Sequence, residues 1–155
     1  MPTIFMKGDI FDTEGLHAFA HGCDTAGAMD AGVAVAFKKR WPAMFEEYRA
    51  RCADRTFRVG DVFAWSEGEE NVFILGIQEQ SAQKAKVTWL TKSLQTMTEL
   101  AAMAGIERVG IPRIGAGQAG LDWPRVKKIL TEAGRTTSVT LVVFEQFIRR
   151  PATPS

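Results

Sequence analysis

The chain has 155 residues, 19 Lys and Arg against 18 Asp and Glu, a formal net charge of +1 and 46% hydrophobic residues. That length suits one domain, which at this size buries roughly 70% of the surface its unfolded chain exposes and needs no staple. The balanced charge argues against a general nucleic-acid binder, no apolar run approaches the roughly 18–20 residues of a membrane span, and Cys23 and Cys52 alone form no disulfide framework. The first residues carry no secretory pattern, so a soluble, cytoplasmic monomer is the expectation. Residues 1–148 read as one domain, and 149–155, with two prolines and nothing apolar beyond alanine, as a disordered tail.

In chain order, residues 3–7 and 16–21 are short, apolar and bounded by Gly or Asp, which predicts buried strands. Residues 32–40 form a short Ala/Val/Phe helix ending at Trp41-Pro42, and 43–52 an amphipathic one. The Lys38-Lys39-Arg40 run is a solvated helix end that complements the helix dipole. Strands at 61–66 and 72–78 flank the polar turn 67–71. Leu90, Leu94, Met97, Ala101 and Ala104 share one helical face over 88–104, and Gly105 is the stop. A strand at 108–111 precedes a helix with Asp122 as N-cap, Pro124 in its first turn and Leu121 stapled against Val126. A last strand covers 138–144. Strands alternating with helices predict a mixed α/β sheet with helices on both faces.

Six of the 14 glycines fall in two loops, each between a predicted strand and a predicted helix. Loop one runs from His21 to Val33 and carries Gly22, Gly27 and Gly32; loop two is Gly115-Ala116-Gly117-Gln118-Ala119-Gly120. Glycine lets backbone approach a ligand closely, and amides at a helix N-terminus favour anions. Two such loops at the carboxyl ends of strands would cradle a diphosphate without a lysine. The alternative is that these glycines merely close turns. Loop two matches GxGxxG, yet too little chain follows for a full Rossmann domain, and no GxxxxGK[ST] occurs. Two histidines and two cysteines without paired metal-ligand spacing predict no metal site, and no cofactor is expected. Cys23 reads as a small loop filler and His17 as structural.

Lys7-Gly8-Asp9-Ile10-Phe11, the stretch from Ala20 to Ala34, Phe37-Lys38-Lys39-Arg40-Trp41-Pro42 and Ile111-Pro112-Arg113-Ile114-Gly115-Ala116-Gly117 followed by Gly120-Leu121-Asp122-Trp123 together resemble the macrodomain family. The likeness is closest to the branch holding the terminal ADP-ribose protein glycohydrolase and the antitoxins that remove ADP-ribose from DNA. It implies a three-layer α/β/α fold with a central mixed sheet of about six strands, and a site for ADP-ribose. The resemblance assigns the adenine to Asp9 and the Ile10 amide. It assigns the diphosphate to loop one (Gly27, Met29, Ala31, Gly32, Val33) and loop two (Ile114, Gly115, Ala116, Gly117, Gln118, Ala119, Gly120). His21 and Asp24 would lie near the distal ribose, and Trp123 would wall the site or serve the core.

Several positions depart from that branch. Gln78 stands where relatives have a lysine, and Ala119 where some pair it with an aspartate, so a lysine–sugar adduct is not expected unless Lys84 reaches in. Asp24 and Asp30 are acids where relatives have Asn or Ser and Gly. Either acid would activate water or stabilise an oxocarbenium-like transition state, or merely cap a turn. His21 would donate to the ribose or pack. The expected activity is a metal-free hydrolase that releases mono-ADP-ribose from an acidic side chain of a protein, or from a DNA base, in a DNA-damage or toxin–antitoxin setting. The alternatives are a non-catalytic ADP-ribose reader and an ADP-ribose 1″-phosphate phosphatase.

Overall fold

A computed structural model of the chain describes residues 3–30 and 32–147, the side chains of Gln118 and Phe147 excepted. The expectations placed on Ala31 and on the tail lie outside the described residues. The strands are β1 (Thr3–Gly8), β2 (Ala18–Asp24), β3 (Val62–Glu67), β4 (Glu70–Gln78), β5 (Arg108–Pro112) and β6 (Thr140–Phe147). The helices are α1 (Val33–Arg40), α2 (Pro42–Ala53), α3 (Val87–Met103) and α4 (Trp123–Arg135), with single 3₁₀ turns at Ile10–Asp12 and Gly117–Ala119.

The strands form one sheet in the order β1-β6-β5-β2-β4-β3. β3 pairs antiparallel with β4 through the turn expected at 67–71, and the other pairs are parallel. Five carboxyl ends therefore share one edge of the sheet. Side chains alternate across it with period two. Ala18, Ala20, Phe73, Leu75 and Ile77 face a core shared with Leu90, Leu94 and Met97 of α3 and Val126 and Leu130 of α4. Phe19, Cys23, Val72 and Ile74 face a second core with Phe37 of α1 and Met44, Phe45 and Tyr48 of α2. Burial on both faces explains why residues 72–77 form a continuous apolar run without alternation.

The helix ends follow the sequence signals. Asp122 caps α4 by accepting from the Arg125 amide, and Pro124 sits in its first turn. Gly105 adopts φ +73°, and the Ile106 amide reaches back to the Ala101 carbonyl at 2.9 Å, which closes α3. The second strand differs from the expectation of 16–21. It runs on through His21, Gly22 and Cys23 to Asp24, because β4 supplies a partner for each of them. Gly22 is there for closeness rather than for a turn: a Cβ would lie 2.5 Å from Ile77 Cδ1 and 3.0 Å from Ile114 Cγ1.

Candidate functional site

A cleft of about 830 Å³ opens at the carboxyl edge of the sheet. Its floor is made by the ends of β6 (Phe144), β5 (Pro112), β2 (His21 to Asp24) and β4 (Ile77, Gln78). Both glycine loops border it, through Met29, Asp30, Gly32 and Val33 on one side and Ile114, Gly115, Ala116, Gly117 and Ala119 on the other. Parallel strands put all these chain ends together, which is the usual place for a ligand in an open α/β sheet.

Loop one is wound around the carboxylate of Asp24, which is 2% exposed. Its Oδ1 accepts from the amides of Ala26 (2.9 Å), Gly27 (2.9 Å) and Ala28 (3.1 Å), and its Oδ2 from Met29 (3.1 Å). The Tyr48 hydroxyl lies 2.7 Å from the Asp24 carbonyl oxygen and 3.1 Å from Oδ1, its one proton shared between them. A buried charge is tolerable only when bonded in this way. The bonds hold Gly27 at φ +96° and Met29 at φ +46°, the latter a left-handed turn costing a non-glycine residue about 1–2 kcal/mol. They also turn the Gly27 and Met29 amides inward, so these two are not available to a diphosphate and Gly27 does not line the cleft. This is the turn-capping role weighed for Asp24; Oδ2, with one bond, keeps acceptor capacity.

Beyond Met29 the loop is open. Asp30 is exposed on the rim, and Gly32, at φ +59°, has no atom within 4 Å of where a Cβ would stand. Val33 starts α1, whose N-terminus has neither a side-chain cap nor an acid in its first turn. That leaves its amides to an anion.

Loop two needs glycine at three positions, since Gly115, Gly117 and Gly120 have φ of +76°, +75° and +75°. The loop is closed by Leu121 N to Gly115 O (2.9 Å) and Gly120 N to Gly117 O (3.0 Å). Gly117, like Gly32, has open space at its missing Cβ. Ala119 is buried, and its carbonyl accepts from the Ala85 amide at 2.9 Å. Gln118 contributes backbone to the 3₁₀ turn. Gly120 faces away from the cleft, under the aliphatic chain of Lys84, whose Cγ is 3.3 Å from the would-be Cβ. Lys84 is thus packed on the outside of loop two and is not among the residues lining the cleft.

His21 is 1% exposed and packs against Phe37, the ring centroids 4.1 Å apart and the planes tilted by 57°. Burial pushes its pKa from 6.5 down to about 4, so the ring is neutral at physiological pH. Nδ1 lies 3.2 Å from the Gly22 carbonyl, which can only accept, so Nδ1 carries the proton. Nε2 has no hydrogen-bond partner. With the proton on Nδ1, Nε2 is left as an unused acceptor.

Asp9 and Ile10 stand at the same sheet edge, after β1, but neither lines the cleft. Asp9 Oδ1 accepts from the Phe11 amide at 2.9 Å, capping the 3₁₀ turn, and Ile10 is fully buried. Trp123 also stands outside the lining; its indole donates to Glu145 Oε2 at 3.1 Å. Its ring instead carries the Arg113 guanidinium, 5.2 Å from the centroid. Arg113 is the cation lining the cleft among the described residues. Sequence reasoning passed over Arg113, although it lies inside the motif that carries the resemblance, and over Tyr48 and Ser81, which carried no local signal. Cys23 is buried in β2 rather than in a loop, and burial with Asp24 nearby drives its thiol well up, which makes it inert. Among the described residues no cluster of three or more His, Cys, Asp or Glu could hold a metal.

Residues 20–130 match the Macro domain family, and the chain belongs to it. It is 26% identical over 140 residues to human "ADP-ribose glycohydrolase OARD1", covering 90% of this chain and 89% of that one. It is 23% identical over 133 residues to the "DNA ADP-ribosyl glycohydrolase" of Thermus aquaticus, covering 83% of this chain but spanning 37% of that relative's length. The macrodomain of Mycobacterium tuberculosis DarG superposes with a TM-score of 0.84 at 23% identity, covering 92% of this chain and 97% of that one. The fold is that of a macrodomain, a six-stranded mixed sheet between helices. The first two of these relatives are named as an ADP-ribose glycohydrolase and a DNA ADP-ribosyl glycohydrolase.

Proposed function

We propose that the chain binds ADP-ribose in this cleft and hydrolyses mono-ADP-ribose from an esterified acidic side chain of a protein, or from a modified DNA base. The observation that carries the reading is the meeting of two glycine loops over one cleft, each with a glycine, Gly32 and Gly117, that leaves open space. The diphosphate sits between the free start of α1 and loop two, with Arg113 as its counter-charge. The adenine extends towards Asp9 at β1, and the distal ribose towards His21, Asp24 and Gln78.

Gln78 and Ala119 put neither an amine nor an acid at the two departures, so no lysine adduct forms. In the ester reaction a water oxygen bonds to the anomeric carbon while the bond to the side-chain carboxylate oxygen breaks, and that carboxylate leaves with the bonding pair. The proton released by water passes to an acceptor in the cleft, Asp24 Oδ2 in this reading. Asp30, next to a diphosphate, is repelled and turns to solvent. The chain contributes chiefly positioning and charge stabilisation.

A second reading, a non-catalytic reader, is favoured by one observation: Asp24 Oδ1 is fully engaged in holding loop one. The two separate on incubation with glutamate-linked and DNA-linked mono-ADP-ribose. Free ADP-ribose supports the hydrolase; calorimetric binding without release supports the reader. Asp24→Asn keeps the shape but sets an NH₂ against one of the four loop amides. It is expected to destabilise the fold by about 1–3 kcal/mol and to weaken ADP-ribose binding. Full stability by urea unfolding would contradict the loop-organising role.

A further inference from the structure

The Gln78 side chain is 8% exposed, lines the cleft, and donates from Nε2 to the Gln83 carbonyl at 2.7 Å. That bond closes residues 78–83 into a ring. The segment 78–85 that contains the ring is bonded on both sides to the glycine loops. Thr25 N donates to the Gln78 carbonyl at 2.9 Å from the loop-one side, and Ala85 N to the Ala119 carbonyl at 2.9 Å on the loop-two side. The residue that the ring turns towards the cleft is Ser81, half-buried and part of the cleft's lining. No hydrogen bond of its hydroxyl is found among the described residues. A hydroxyl held at a cavity wall with unused donor and acceptor capacity suits a partner that also both gives and takes hydrogen bonds.

We infer that Ser81 is a binding residue for the hydroxyls of a sugar at the β4 end of the cleft, and that Gln78 is the positioning residue that holds it there. The inference rests on the ADP-ribose reading and adds to it which group of the ligand this wall meets. Strands lie about 4.8 Å apart, so β1 and β4, four steps apart in the sheet, are roughly 19 Å from each other. An extended nucleotide-sugar whose base is towards β1 and whose diphosphate is on the loops at β5 and β2 brings its second sugar to β4. At the end of β4 the Gln78 amide orders this wall.

Calorimetric titration with ADP-ribose and with ADP, which lacks the second sugar, tests this. Ser81→Ala is expected to weaken ADP-ribose by about 3–10-fold and to leave ADP unchanged, and Ser81→Thr, which keeps the hydroxyl, restores part of the loss. Gln78→Leu is expected to show the same selective loss. The double variant is expected to be no weaker than the worse single one, since Gln78 acts through Ser81. Unchanged ADP-ribose affinity in Ser81→Ala, or equal losses for both nucleotides, overturns the inference, as do losses that multiply in the double variant. A wild-type chain that binds neither nucleotide overturns the ADP-ribose reading itself, and this inference with it.

Discussion

Asp24 and His21 stand three residues apart on one strand and have opposite electrostatic situations. Four amides and a phenol surround the Asp24 carboxyl. His21 has one weak partner and Phe37 against its ring, so burial favours the neutral form. Its pKa falls from 6.5 to about 4, so between those values the folded chain binds fewer protons than the unfolded one. Stability contributed by the neutral ring is present above pH 6.5 and is lost as pH falls towards 4, up to about 3 kcal/mol. Urea unfolding at pH 7 and pH 4 measures it, and His21→Gln is expected to flatten that part of the profile. An unaltered slope in the variant would assign the acid lability elsewhere.

The elements hold the site by close approach of backbones at the ends of β2 and β4. The register between them shifts after Cys23, where Cys23 pairs with Gly76 but Asp24 with Gln78. Gly76 permits this. A Cβ there would lie 2.7 Å from the Arg58 carbonyl oxygen, 3.1 Å from Thr25 Cγ2 and 3.2 Å from Phe57 Cζ. Its carbonyl also takes the Gly60 amide at 2.7 Å. Gly76→Ala is therefore expected to cost about 1–3 kcal/mol in urea unfolding. It is also expected to weaken ADP-ribose binding, since it displaces the end of β4 that carries Gln78. A variant as stable as the parent would mean that the Arg58 segment yields freely.

At the scale of the whole molecule, the sheet's parallel order makes one cleft out of loops that are distant in the chain. A ligand seated there ties both loops and both helical layers to the folded state. At 100 times its dissociation constant, ADP-ribose is expected to add about 2.7 kcal/mol and raise the melting temperature by about 5–11 °C. Differential scanning calorimetry reads this directly, and an absence of any shift counts against the proposed function. Among the described residues no helix is long and apolar enough to cross a membrane.

Periodicity and capping, both local, were enough for the sequence to determine α3 with its Gly105 stop, the Asp122 cap of α4 and the β3–β4 hairpin. The spacing of glycines likewise marked both loops, because positive φ at Gly115, Gly117 and Gly120 is a local demand on residue type. Tertiary structure decided what those loops do with their polar groups. Nothing near Asp24 in the chain signals that Tyr48, on α2, completes its shell, or that the Gly27 and Met29 amides are spent on it. Gly22 looked like a turn residue, yet it is a strand residue squeezed between Ile77, at the end of β4, and Ile114, in the loop after β5. The same holds for Gln78, Ser81 and Arg113. Which side chains reach a shared cleft depends on strand order across the sheet, and strand order is fixed by burial over the whole molecule rather than by neighbours in sequence.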